Sequence, residues 1–223
     1  MDPDIYTFNL YSTRGLSKAR AFFNSAKCVN ITILRFRLFH GDRKHRTRIL
    51  VKQLNELENV LRSAHTRCPR FCTVVIDAMH TSMSVDLITD CIMSAVTSIC
   101  GDRKVDVRLE HFTPLLLRDL DVKHFNEQMK AFETHIRLVW SWTLDTNDVD
   151  AIVAMLNGLP NLRGLVLDVA RWESASTVAK ILNSVCTKEA TTIIRGWSYG
   201  GKRLVPRLNG VVKSEEIQFE RKV

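Results

Sequence analysis

At 223 residues the chain is long enough for one domain with a sizeable core, or at most two small ones; 45% hydrophobic and 25% charged residues exclude a disordered, fibrous or collagen-like polymer. The net charge of +8 is unevenly spread: residues 1–70 carry 14 Lys/Arg against 5 Asp/Glu, residues 71–190 carry 11 against 16, and residues 191–223 carry 7 against 3. A basic entry, an acidic middle and a basic exit predict an electrostatically asymmetric surface.

The chain starts with acids at Asp2 and Asp4 and lacks the apolar core of a signal peptide. No run approaches eighteen apolar residues, so no membrane span is expected, and the protein is expected in the cytoplasm or nucleus. Six cysteines (Cys28, Cys68, Cys72, Cys91, Cys100 and Cys186) form no CxxC pair and are expected as reduced, buried thiols. Residues 1–28 are read as an N-terminal cap.

From there, short β-like runs alternate with helical patterns. The first strand, Asn30–Leu38, sets Thr32, Leu34, Phe36 and Leu38 against Arg35 and Arg37 on the opposite face. The loop after it holds the basic run Arg43, Lys44, His45, Arg46, Thr47, Arg48. Without an interleaved aromatic for base stacking, and with Glu56 and Glu58 following, it reads first as a solvated loop and second as a phosphate or nucleic-acid contact. A helical stripe of Leu50, Leu54, Leu57, Leu61 and Ala64 leads to the strand Phe71–Ala78. Asp77 and His80 at its C-terminal end have the residue types of an acid–base pair, although polar residues there are ordinary loop chemistry.

A second stripe, Val85, Ile88, Ile92, Ala95 and Ile99, with Ser82 or Ser84 as N-cap, leads to Lys104–Glu110, where Val105, Val107 and Leu109 oppose Lys104, Asp106, Arg108 and Glu110. The connection Leu115–Phe132 is less regular: Phe125, Met129 and Phe132 fit a stripe, while Pro114 and the LLLRDLD run obscure its start. In His135–Thr143, Ile136, Leu138, Trp140 and Trp142 oppose Arg137, Val139 and Ser141, with both tryptophans expected in the core. A stripe of Val149, Ile152, Leu156 and Leu159, capped by Asp145 or Thr146, precedes the strand Leu162–Val169. Trp172, next to Arg171, is a candidate exposed contact. Ala175, Val178, Ile181 and Val185, after Ser174, lead to Thr191–Trp197.

Gly196 to Arg203 matches a phosphate loop as far as Lys202, but Arg203 stands where a magnesium-binding hydroxyl is needed and Pro206 interrupts the helix that should follow. It reads as a basic turn. The seven histidines show no HExxH and no spacing with cysteine for zinc, so neither a metal site nor a cofactor is expected.

Strands separated by helices imply βα units and a parallel sheet of about six strands. Strand centres Phe36, Val74, Val107, Val139, Val166 and Ile193 are 38, 33, 32, 27 and 27 residues apart, a slack repeat. A doubly wound sheet, covered on both faces, would show continuous apolar strands; one-sided alternation favours a solenoid with helices on one side and an open strand face. The segment LPNLRGLVLD, with Leu162, Leu165 and Leu167 in an LxxLxL spacing, resembles the strand signature of leucine-rich repeats, and the whole of about residues 30–197 resembles the irregular repeats of intracellular, fungal-type F-box proteins. No F-box pattern is found in the first thirty residues. The resemblance implies an α/β fold, specifically a βα-repeat solenoid, over residues 29–200, with 201–223 as a basic C-terminal cap or tail; an open doubly wound sheet is the alternative.

A solenoid would present Arg35, Arg37, Val75, Asp77, Arg108, Glu110, Val139, Ser141, Val166, Asp168 and Arg195 along its outward face, with Trp172 nearby. Mixed charge with a few apolar groups suits a protein partner, which predicts a non-enzymatic interaction module, in a substrate-recognition or adaptor role. The second candidate is binding of nucleic acid or phosphate through Arg43, Lys44, Arg46 and Arg48 with Lys202, Arg203 and Arg207.

Overall fold

A computed structural model describes residues 5–9, 13–37, 67–78, 104–118, 120–140, 142–169, 175–185, 190–196 and 217–219, with 59, 62, 90, 93, 96, 97 and 188. The chain divides into two units, Met1–Glu110 and His111–Val223.

In the first unit, strand β1 (Ile5–Asn9) is followed by helix α1 (Thr13–Phe23), a 3₁₀ turn (Ala26–Asn30) and strands β2 (Ile33–Arg37), β3 (Thr73–Asp77) and β4 (Asp106–Phe112), the last of which runs past the unit's end at Glu110. β1 pairs with β2, β2 with β3 and β3 with β4, every pair parallel. The segment read as a cap thus supplies a βα unit of its own. Its pattern is short but physical: Tyr6 and Phe8 point to the side that α1 covers. Tyr6 stacks on Phe22 with centroids 4.4 Å apart, and Phe8 lies against Phe23 at 5.8 Å and Phe36 at 4.8 Å. Such pairs add about 0.5–1.5 kcal/mol each beyond the area they bury. Leu34, Phe36, Val74, Ile76, Val107 and Leu109 continue this apolar face and are all buried. The stripes of residues 50–64 and 85–99 lie largely outside the described residues; of the second helical segment, Met93 and Val96 are buried, one position off the expected stripe.

The second unit contains α2 (Pro114–Leu117), α3 (Val122–Met129), β5 (Glu133–Trp140), α4 (Thr146–Asn157), β6 (Leu162–Val169), α5 (Ala175–Asn183), β7 (Thr191–Gly196) and β8 (Ile217–Phe219). β5, β6 and β7 pair parallel in that order, and β8 adds to β7 antiparallel. The irregular connection resolves into two helices: Pro114 starts α2, where its missing N–H costs nothing, and Asp121 caps α3 by accepting from the His124 N–H. α4 has the expected Asp145 cap, made reciprocal by Asp148, and buries Val149, Ile152 and Leu156. Trp140 is buried as expected. Trp142 is not: β5 ends at Trp140, so Trp142 leaves the strand face and is partly exposed, donating to Asp148.

Strand order within each unit follows the chain without the reversal that marks a doubly wound sheet. The same junction recurs before the strands, an N–H bonded to the carbonyl three residues back, at Ile31–Cys28, Phe71–Cys68, Phe132–Met129, Leu159–Leu156 and Lys188–Val185. Ile31, Phe71, Phe132 and Leu159 are buried, and Lys188 is half-buried. A later junction also reaches back to the one before it: Arg67 donates to the Phe23 carbonyl at 3.3 Å, Asn161 to Lys130 at 2.6 Å, and Lys188 to Leu159 at 2.8 Å. These bonds satisfy carbonyls at helix ends that would otherwise lack partners.

Candidate functional site

Side chains alternate across a strand, so the residues opposite the apolar core share the other face. On the first unit, register places Thr7, Arg35, Val75 and Arg108 in one row and Arg37, Asp77 and Glu110 in the next. Arg35, Arg37, Asp77, Arg108 and Glu110 were all expected on this face, and the structure brings them together.

Their charges are largely pre-paired. Arg35 Nη2 lies 3.2 Å from Glu110 Oε2. The two residues sit on β2 and β4, so the guanidinium spans β3 and roofs over Val75, which explains why Val75 is only 2% exposed on the polar side of the sheet. Arg37 Nε lies 3.7 Å from Asp77 Oδ2, too long for a good hydrogen bond. Asp77, expected as an outward contact, is therefore a buried carboxylate beneath its neighbours, 5% exposed. Arg108, across Val75 from Arg35, has no carboxylate at ion-pair distance among the described residues, and the Nε atoms of both arginines are enclosed without a hydrogen-bond partner.

β4 departs from regular alternation at its end. Val107 and Leu109 are buried, and the next buried residue is Phe112, not residue 111. His111 has φ 58°, the left-handed region that a non-glycine residue enters at a cost of about 1 kcal/mol. The sequence carries the signal of this irregularity in the spacing of Leu109 and Phe112, three apart where a regular strand demands two.

On the second unit the rows are His135, Gly164, Thr191, then Arg137, Val166, Ile193, then Val139, Asp168, Arg195. Arg137 Nε is bonded to Asp168 Oδ2, burying that carboxylate to 5% exposure. Asp168, like Asp77, is thus tucked under an arginine and not freely presented. Gly164 is required by close approach: a Cβ there would sit 2.6 Å from His135 Nδ1. The Arg195 side chain lies outside the described residues, as do Ser141, Trp172, Arg43, Lys44, Arg46, Arg48, Lys202, Arg203, Arg207 and His80.

The two units repeat one device. Arg35 faces Val75 and Arg137 faces Val166 in register, and each valine is followed two residues on by a buried aspartate, Asp77 or Asp168. The fold these elements define is an α/β protein of parallel strands with an ion-paired outer face. No protein-family model matches the chain, and no curated protein or solved structure does either.

Proposed function

We propose that the chain is a leucine-rich-repeat-like βα solenoid that acts as a non-enzymatic binding module, holding a protein partner on its outer strand face. The observation that carries this reading is the row of charges on β2, β3 and β4. Arg35 is engaged by Glu110, whereas Arg108 lacks a carboxylate among the described residues and Arg37 is 44% exposed. Held by strands, these guanidiniums lose little conformational freedom when they meet a partner. The sequential strand order and the recurring junctions support the repeat architecture.

The double variant Arg37→Glu and Arg108→Glu tests it. The tagged full chain should lose a partner that wild type captures from cell extract, while its circular dichroism shows it folded. Capture of the same partner by the folded variant would remove the face from the binding surface.

A further inference from the structure

We propose that the partner lays an acidic protein segment on the first unit and seats the carboxylate of an aspartate or glutamate on Arg108; the proposal rests on the binding role above and supplies the partner's chemistry. Arg35, Val75, Arg108 and Glu110, the residues that shape the seat, all belong to the first unit.

Arginines on the strands come with carboxylates. Arg35 holds Glu110, Arg37 stands 3.7 Å from Asp77, Arg137 holds Asp168, and Arg163 lies 3.6 Å from Glu133. Arg108 is the exception among the described residues. Asp106 and Glu110 flank it two positions away on the same side of β4, yet neither is at ion-pair distance, and Glu110 is engaged by Arg35. The Arg108 side chain is half-buried, and its Nε is enclosed without a hydrogen-bond partner. An enclosed donor left unbonded is a cost that the free protein carries. A carboxylate that takes Nε and one terminal nitrogen together removes it, in the two-bond geometry that suits the planar guanidinium.

The neighbours select among anions. Asp106 and Glu110 lie about 6.6 Å from Arg108 along the strand, one on either side. A lone carboxylate matches the single unpaired guanidinium between them. A phosphate group brings about two negative charges, and a nucleic acid a continuous run of them, so either sets surplus charge against those two acids. Arg35, level with Arg108 across Val75, is already half-satisfied by Glu110 and offers no second free cation.

The tagged full chain is panned against phage displaying random peptides, and synthetic copies of the enriched peptides are titrated by fluorescence anisotropy, with circular dichroism showing each variant folded. Wild type is expected to enrich aspartate or glutamate at one position. Neutralising that position to Asn or Gln should weaken binding to wild type about tenfold and leave binding to Arg108→Gln unchanged, because contacting partners are not additive. Arg108→Lys, which keeps the charge and loses the fork, should fall between, and it serves alone if Arg108→Gln does not fold. Arg108→Glu should enrich lysine or arginine at the same position. Peptides with no acidic position overturn the proposal. So does an acidic position that matters equally to Arg108→Gln, or a fluorescein-labelled oligonucleotide whose binding is lost in that variant. If such non-acidic peptides fail to bind the double variant Arg37→Glu and Arg108→Glu, the face still binds and only the partner's chemistry falls. If the double variant keeps the peptides, or wild type enriches none, the binding role falls as well.

Discussion

Asn126 on α3 lies directly over Gly158, the residue that ends α4: a Cβ on Gly158 would fall 1.6 Å from the Asn126 amide nitrogen. Gly158→Ala should accordingly destabilise the protein by about 1–3 kcal/mol through overpacking. Adding Asn126→Ala should restore part of that loss in urea unfolding, because the clash lies between these two side chains; additive effects would show that it does not. Thiols differ in a similarly local way. Burial, then the neighbouring Cys28, push the Cys68 thiol up to about 12, whereas Cys72 is exposed. Since the thiolate is the nucleophile, iodoacetamide at mildly alkaline pH should label Cys72 before Cys28 and Cys68, as peptide mass spectrometry would read. The cysteines were expected from the sequence as reduced, buried thiols; among the described residues Cys28, Cys68 and Cys72 are free, but Cys72 is exposed and not buried. The contact between Cys28 and Cys68 was not legible, because it depends on two junctions of the same design falling side by side.

Helix α4 shows how much an element's ends depend on residues elsewhere. Asp145 and Asp148 close its first turn, and Arg118 reaches both, at 2.9 Å and 2.7 Å. Burial raises the Asp148 pKa, but hydrogen bonds from Arg118, the Asp145 N–H and Trp142 outweigh it, holding the carboxyl below its ordinary value of 3.8. A depressed carboxylate contributes stability above its unfolded pKa and loses it as pH falls through the folded one. Asp148→Asn should therefore cost about 1–2 kcal/mol at neutral pH. The difference from wild type should shrink at pH values below 3.8 in urea midpoints, and a constant difference would count against this linkage. The cap at Asp145 was readable because capping chemistry is local. Arg118 was not, lying 27 residues upstream of Asp145. α1 also escaped notice: TRGLSKARAFF carries a glycine and several polar residues, and its apolar contacts concentrate in Phe22 and Phe23 at its end.

At the scale of the whole chain, parallel strands separated by helices were legible from alternation, since a strand covered on one side must be apolar at every second residue. Strands β2 and β4 obey it. The all-buried β3 does not, because its outer residues are covered by arginines from neighbouring strands, a relation invisible until register is known. The same reach explains why Asp77 and Asp168 looked like presented charges and are buried ones. The mixed-charge face was thus recognised by composition, while its internal pairing was not.

β8 adds to β7 in the opposite direction to the strands before it. A further βα unit appended after β7 would have to lie parallel and use the hydrogen-bonding groups that β8 already occupies. Three residues thus take up the border of β7, and no parallel strand can pair with β7 on that side while they hold it.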